Sequence, residues 1–412
     1  MTVIEFFDKN PLENMASALL FAPDKVIFIG DSRKQMQAAI EQYNTVLEKR
    51  GQNTLLSYKS VTKNNLQEIV SKLTELIEEH GELVFDLTGG KDLYLVAVGI
   101  IMERFRGRVQ CHRINIPYNR ILDCDGDGKA LTTDNYAITV QENIALCGGE
   151  IIRSKREGGY TYDWDFSEEF CRDVEKLWSI CKKNERSWNH QISTLAAITR
   201  YFRQPENTLT LTFERAKVTS TLAAQGFRFY LSDSLLQELE AKGLILDLKT
   251  EDTVSFTFKN LQIKKCLTTA GQVLELLIAT RMRSLMKEDG TPVYQDVRTG
   301  VVIDWDRIDA PEEVRTQNEV DVIAMCGLIP VFISCKNGTV DTGELYKLNT
   351  VAQIFGQHYG KKVLIASDLD LSGDNARYIE ARADDMDIKI VTDLDSLSMD
   401  ELDCVLRSLW TK

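Results

Sequence analysis

Short apolar runs alternate with amphipathic stretches along the first third of the chain. Lys25 to Gly30 (KVIFIG) has the form of a buried strand, and Met36, Ile40, Tyr43 and Leu47 then recur at helical spacing. A second helical stretch, Leu66 to Glu79, leads into the strand-like Glu82 to Thr88 (ELVFDLT). Asp92 to Met102 (DLYLVAVGIIM) is apolar nearly all round, which predicts a helix buried in an α/β layer. Strand and helix in alternation predict a parallel sheet covered by helices, with ligands bound beyond the carboxyl ends of the strands.

From Cys147 to Asp165 the chain turns rich in glycine and charge, which marks a boundary. Helical patterns follow at Phe170 to Cys181, Ile192 to Phe202 and Asp233 to Lys242, with a strand-like tail at Val254 to Phe258, an order compatible with a winged helix. A third unit is expected to open at Thr268 with a helix running to Met286. Strands are expected at Gly300 to Trp305, Glu319 to Met325 and Val331 to Lys336, then a helix from Glu344 to Phe355 and a strand at Lys362 to Ala366. The expected division is 1–150, 151–262 and 263–412, with no internal repeat.

At about 150 residues per domain, 412 residues fit two to three domains, and 43% hydrophobic content supplies a core for each. A formal net charge of −13 removes overall basicity as an argument for nucleic-acid binding, so any such site is local. The first residues, MTVIEFFDKNPLENMA, lack a basic segment followed by an apolar one. No stretch reaches the roughly 18 apolar residues of a membrane span, so a cytoplasmic protein without membrane partners is expected. Nine cysteines form no CxxC pair, and four histidines lie far apart, which argues against a disulfide framework, a zinc knot and HExxH chemistry. The chemistry falls to carboxylates and lysine.

Two strand ends in the first unit carry glycine and small polar residues: Gly30-Asp31-Ser32-Arg33, and Thr88-Gly89-Gly90-Lys91 before the apolar helix. Glycines admit a ligand close to the backbone, N–H groups at a helix start favour anions, and the side chains of Ser32, Arg33, Thr88 and Lys91 add donors. Neither a P-loop nor a GxGxxG fingerprint is present, and a plain strand-to-helix turn also accounts for TGGK. A strand ending in Gly-Asp-Ser-Arg, together with Asp86-Leu87-Thr88-Gly89-Gly90-Lys91 opening a helix, resembles the CARF domains of type III CRISPR ancillary proteins. The resemblance implies a Rossmann-like fold and a homodimer that binds a cyclic oligoadenylate, usually cyclic tetra-adenylate, across its two-fold axis. A rival motif, Asp123 to Gly128 with Asp134, has EF-hand carboxylate spacing, but its flanks read as strand and loop and its last position is not Glu, so a surface turn is expected.

The third unit spreads Glu275, Asp321, Ser334-Cys335-Lys336 and Glu344 over several elements. Alternation puts Glu319 and Asp321 on one strand face and Ser334 and Lys336 on one face of the next. A turn at Gly327-Leu328 sets Asp321 opposite Ser334 and Glu319 opposite Lys336. Asp321 is then placed to hold a divalent metal, and Lys336 to orient water or stabilise the transition state. Glu275, within the apolar Val273 to Ile278, needs a partner or a metal if buried. A polar helix stripe and a cross-strand salt bridge are the structural alternatives.

This helix, strand, strand and helix arrangement resembles the PD-(D/E)xK restriction-endonuclease-like fold, and specifically the nuclease half of CARF-fused ancillary nucleases. The resemblance implies a nuclease activated by cyclic tetra-adenylate that cleaves DNA, and in several relatives RNA, with manganese or magnesium. It implies Glu275, Asp321 and the backbone carbonyl of Cys335 as metal ligands. Ser334 stands where the family pattern has an acid, with Glu344 the nearest replacement; reduced metal affinity or lost catalysis are the other outcomes. Basic residues near the site, Arg281, Arg283, Lys287, Lys336, Lys347, Lys361 and Lys362, are candidate phosphate contacts. Three alternatives stand beside a gated nuclease: a ligand-responsive transcription regulator, a nuclease-inactive sensor, and a restriction-like nuclease that needs no ligand.

Overall fold

The computed structural model describes residues 1–118, 120–125, 128–131, 137–154, 159–202, 205, 207–305, 317–337, 340–367 and 374–410. The chain opens with β1 (Thr2–Phe6), α1 (Pro11–Phe21), β2 (Lys25–Gly30), α2 (Arg33–Arg50), β3 (Leu55–Ser60), α3 (Leu66–His80), β4 (Leu83–Asp86), α4 (Asp92–Arg104) and β5 (Val109–Asn115). Two short strands, β6 (Arg120–Asp123) and β7 (Ala130–Leu131), then α5 (Val140–Leu146) and β8 (Glu150–Ile151), complete the first part. The sheet order is β3-β2-β1-β4-β5-β6-β7, with β1 to β5 parallel and the last two strands antiparallel. Strand order reverses between β1 and β4, the position at which doubly wound sheets open a crevice for ligands.

Two expectations need correction. The strand beginning at Lys25 is the second, because Thr2–Phe6 supplies an earlier, central one whose Glu5 interrupts the apolar run and is fully buried. Helix α4 is not covered all round: Tyr94, Ala97, Val98 and Ile101 face the core, while Leu95 and Val96 are 43% and 49% exposed.

The middle part consists of α6 (Glu168–Lys183), α7 (Glu185–Tyr201), β9 (Thr210–Glu214), α8 (Arg215–Ala224), α9 (Asp233–Ala241), β10 (Ile245–Thr250) and β11 (Thr253–Phe258). Its antiparallel sheet runs β10-β11-β9. After it come α10 (Leu261–Cys266), α11 (Gln272–Ser284), β12 (Asp296–Asp304), β13 (Gln317–Cys326), β14 (Ile329–Lys336), α12 (Thr342–Phe355), β15 (Lys361–Ala366), α13 (Asp374–Asp385), β16 (Ile388–Val391) and α14 (Met399–Arg407). The helix expected from Thr268 starts at Gln272, because Gly271 adopts φ +85° and stops any earlier helical turn from joining it.

The third sheet runs β16-β15-β14-β13-β12-β8, so a strand from the end of the first part is its edge. Both faces are covered. Val322, Val331, Ile333 and Ile365 join a core shared with α11 and with Trp178, Trp188 and Phe256 of the middle part. Ile323, Phe332 and Leu364 point the other way, into a core with Phe355 of α12, Ile144 of α5 and Met15 and Tyr43 of α1 and α2. The first and third sheets are thereby packed through a common apolar layer.

Candidate active site and ligand loops

Strand β13 returns as β14 through Gly327, which takes φ +62°, and the ladder runs from Cys326 opposite Ile329 to Val322 opposite Ile333. Continued by one residue, this register brings Asp321 opposite Ser334. The Ser334 hydroxyl donates to Asp321 Oδ2 at 3.2 Å, and the Cys335 backbone N–H donates to the same oxygen at 2.6 Å. Asp321 is thus held at the end of its strand by two donors from the neighbouring one.

Strict alternation fails at this point. Val297 and Val322 belong to one core, whereas Val301 and Val320, paired with each other, belong to the opposite one. Between Thr299 and Val301 lies Gly300 at φ +58°, and this left-handed residue turns the strand pair over beside Asp321. Glu319 and Asp321 nevertheless line one cavity of about 270 Å³, together with Ser334, Lys336 and Glu344.

Lys336 Nζ lies 2.9 Å from Glu344 Oε2, and Lys347 Nζ donates to Glu344 Oε1 at 3.2 Å. Burial works against the Lys336 charge, but the Glu344 hydrogen bond and the Asp321 carboxylate outweigh it and raise its pKa. Burial likewise works against Glu344, yet the two lysines hold its carboxyl below the usual range. The Asp321 carboxyl is raised by burial, with the Cys335 N–H, Lys336 and Ser334 opposing.

Glu275 approaches from the first turn of α11, where Gln272 Nε2 donates to its Oε2 at 2.8 Å and the Thr299 hydroxyl lies 3.5 Å from the same atom. Burial, followed by the charges of Asp321 and Glu319, pushes its pKa up to about 8. Three carboxylates therefore crowd one end of the sheet, and the lysine side of the cavity answers with a fourth, Glu344. Among the described residues no three His, Cys, Asp or Glu side chains are gathered into a cation-binding group by themselves. The donor chemistry fits a hard divalent ion that takes one or two carboxylates, a backbone carbonyl and water. The Cys335 thiol is buried and its pKa is raised well above the ordinary value, first by burial, so it is not a thiolate ligand.

Gln272 and Thr299, which orient Glu275, belong to no motif of the sequence. Gln272 precedes Glu275 by three residues, the spacing that puts two helix side chains side by side. Several candidate phosphate contacts are already engaged. Arg281 pairs with Glu175 and Asp403, Arg283 donates to the Val297 carbonyl, and Lys362 bonds Asn349 and the Met386 carbonyl.

At the first sheet, Gly30 ends β2, Asp31 follows, and Ser32 caps α2 by accepting from Gln35 N–H, with Arg33 exposed in the first turn. Lys91 Nζ donates to Asp31 Oδ2 at 2.7 Å, so the two glycine-bearing loops meet across the end of β1. That hydrogen bond holds the Asp31 carboxyl below its usual range. A Cβ on Gly90 would come within 2.6 Å of Phe6 Cβ, and Gly90 sits at φ +99°, so the loop's path over β1 requires glycine. Thr88 is already committed: its hydroxyl bonds the Asp86 carboxylate and accepts from Ile114 N–H at 2.8 Å. Lys91, the N-cap of α4, makes no side-chain cap, unlike the N-caps of α1, α2 and α3. Of the EF-hand-like run, Asp127 and Asp134 lie outside the described residues; the Asp125 carboxylate accepts from Cys111 N–H, and its own N–H donates to Asp123 Oδ1 at 2.9 Å.

No family model and no curated protein sequence matches the chain. Solved structures do. Protein VC1899 from Vibrio cholerae superposes with a TM-score of 0.72 at 17% identity, covering 99% of this chain and 97% of that one. The fold is shared end to end. Can2 from Sulfobacillus thermosulfidooxidans, solved in complex with cyclic tetra-adenylate, gives 0.65 at 16% identity over 100% of this chain and 99% of its own. A type III CRISPR defence DNA nuclease activated by cyclic oligoadenylate gives 0.51 at 14% identity, covering 89% of this chain and 45% of that protein. Among the described residues no helix is long and apolar enough to cross a membrane.

Proposed function

We propose that the protein is a nuclease gated by a cyclic oligoadenylate, acting in type III CRISPR defence. The observation that carries this reading is the single cavity that gathers Asp321, Lys336 and Glu344 on a sheet sharing its core with a Rossmann-like ligand unit. The whole-length likeness to a protein solved with cyclic tetra-adenylate supports that ligand, and β-strand order in the third sheet supports a PD-(D/E)xK reading of α11, β12, β13, β14, α12 and β15. We take the units as 1–150, 151–262 and 263–412, with β8 lending an edge strand across the first boundary.

In this reading Gly30 to Arg33 and Thr88 to Lys91 form the ligand loops, with the backbone N–H groups at the start of α4 and the Lys91 ammonium facing phosphate. The exposed Leu95 and Val96 on α4 supply an apolar face for a two-fold partner. Glu275, Asp321 and the Cys335 carbonyl would hold manganese or magnesium, which supplies Lewis acidity at the scissile phosphate. Lys336 provides the mobile cation: once released from Glu344, its ammonium stabilises charge gathering on the phosphoryl oxygens. Ser334 does not replace the missing acid as a ligand; its hydroxyl orients Asp321, and Glu344 sits on the lysine side of the cavity.

A regulator is the second reading, favoured by one observation. The order α7, β9, α8, α9, β10, β11 with strands arranged β10-β11-β9 is compatible with a winged helix. Charge argues against DNA reading by α9, which carries no Lys or Arg of its own and turns to solvent Asp233, paired with Arg215, and Glu240. The test of the nuclease is plasmid cleavage with manganese and cyclic tetra-adenylate by the native protein, Asp321→Ala and Lys336→Ala. Loss of cleavage in both variants is expected, by about a hundredfold or more; retention in either would contradict the assigned roles.

A further inference from the structure

Between the first and middle parts, the chain from Gly159 to Ser167 carries an aromatic residue at every second position: Tyr160, Tyr162, Trp164 and Phe166. The stretch is fastened to the sheet that bears the acidic cavity. Thr161 N–H donates to the Ile152 carbonyl at 2.7 Å, Ile152 N–H donates to the Val302 carbonyl at 2.9 Å, and the Thr161 hydroxyl accepts from Val302 N–H at 2.9 Å. Its rings meet one another and two cations. Tyr162 and Trp164 centroids are 4.7 Å apart, Lys265 Nζ lies 4.6 Å from the Tyr162 centroid and 5.6 Å from that of Tyr160, and the Arg283 guanidinium lies 4.6 Å from that of Phe166.

The far end of this ladder packs into the core, with Trp164 stacked on Phe170. The near end opens onto a cavity of about 410 Å³ lined by Tyr160, Tyr162, Lys265, Asn207, Thr268 and Thr269 among others. Lys264, also on the wall, is spent on the carbonyls of Pro205 and Thr208. Flat aromatic walls suit a nucleobase, an ammonium suits a phosphate, and the amide and hydroxyls suit base edges and sugar. Thr161, between the two tyrosines, is bonded to Val302, whose partner across the ladder is Glu319, so this cavity neighbours the acidic one. An acidic cleavage site repels a polyanion, and a cationic foothold beside it offsets that repulsion.

We propose that this cavity seats one unpaired nucleotide of the substrate strand, its base against Tyr160 and Tyr162 and its phosphate on Lys265. A paired base has its edges occupied and its faces covered by neighbours, so the seat selects single-stranded or locally melted nucleic acid. The assignment rests on the nuclease reading and adds a substrate class to it.

The test is fluorescence anisotropy with labelled single-stranded DNA, single-stranded RNA and duplex DNA, in EDTA and with cyclic tetra-adenylate present. Tyr162→Ala is expected to weaken single-strand binding roughly tenfold, and Tyr162→Phe to stay within about twofold. Lys265→Gln is expected to lower the salt dependence by about one phosphate contact. Duplex binding should move by less than about twofold in all three, and the DNA and RNA arms show which sugar the seat accepts. Unchanged single-strand binding in both Tyr162→Ala and Lys265→Gln overturns the seat, as does an equal loss for duplex or no strand binding by the native protein. Should Tyr162→Ala melt early, Lys265→Gln alone decides. Cleavage that needs Asp321 and Lys336 but binding indifferent to Tyr162 leaves the nuclease standing without the seat. Strand binding that follows Tyr162 in a protein that never cleaves does the reverse.

Discussion

Glu275 shows how a single side chain reports on its surroundings. A carboxyl on an otherwise apolar helix turn signals that something must compensate it, and the structure supplies Gln272 and Thr299 as polar partners, against two neighbouring acids that add to the cost of its charge. Because its pKa rises from the ordinary 4.5 to about 8 on folding, the folded state holds this proton more tightly than the unfolded chain. Its contribution is therefore complete below about pH 4.5 and is lost as pH rises through about 8. In EDTA, native melting temperatures should fall between about pH 5 and 8 more steeply than those of Glu275→Gln, and manganese should recover the difference. Parallel melting curves for the two proteins would show that Glu275 is not strained by its neighbours. Its partners were harder to foresee than Glu275 itself, because Thr299 reaches it from a strand far along the chain.

Among the elements, those with unbroken apolar patterns were legible, and those interrupted by one residue were not. KVIFIG is β2 with the expected ends, and the register of β13 against β14 follows from alternation and a turn at Gly327. Thr2–Phe6 went unread because Glu5 sits inside it, although the fold buries that residue completely. Gly300 was an isolated glycine in a strand, a signal of a bend whose consequence for neighbouring faces depends on pairing with β13. At φ +58° a side chain there is strained. Gly300→Ala should cost about 1–2 kcal/mol in chemical denaturation and lower cleavage further by shifting Glu319 and Asp321; an unchanged midpoint would show the bend to be incidental. The apolar content of α4 predicted burial within the subunit, whereas Leu95 and Val96 face outward. If the proposed homodimer forms through this face, replacing both by Lys should shift the molar mass in solution from dimer to monomer by light scattering, and a dimer that survives, or a native monomer, would contradict that face.

Across the whole molecule, the proposed ligand loops and the acidic cavity are joined by a short physical route. The carboxylate of Glu13 on α1 lies 3.6 Å from where a Cβ on Gly89 would sit, and its Oε1 accepts from the Tyr359 hydroxyl at 2.8 Å. Tyr359 follows α12, the helix whose first turn holds Glu344 against Lys336. Asn143 of α5 adds a second tie, donating to the Phe355 carbonyl at 2.7 Å. If the proposed ligand binds at the Gly89 loop, a shift of that loop would be positioned to move α12 and free Lys336. Tyr359→Phe should keep ligand affinity within about twofold while reducing the activation that the ligand produces, since only the coupling free energy is removed. None of this was visible in the sequence, where Glu13 and Tyr359 stand at opposite ends and belong to no motif.

The measurement that bears most directly on gating is cleavage of plasmid and single-stranded DNA and RNA in manganese, with and without cyclic tetra-adenylate. The native protein should cleave only with the ligand, Asp321→Ala and Lys336→Ala should not cleave in either condition, and Lys91→Ala should need more ligand. Cleavage without ligand that is indifferent to Lys91, or tight ligand binding with no cleavage of any substrate, would contradict the account.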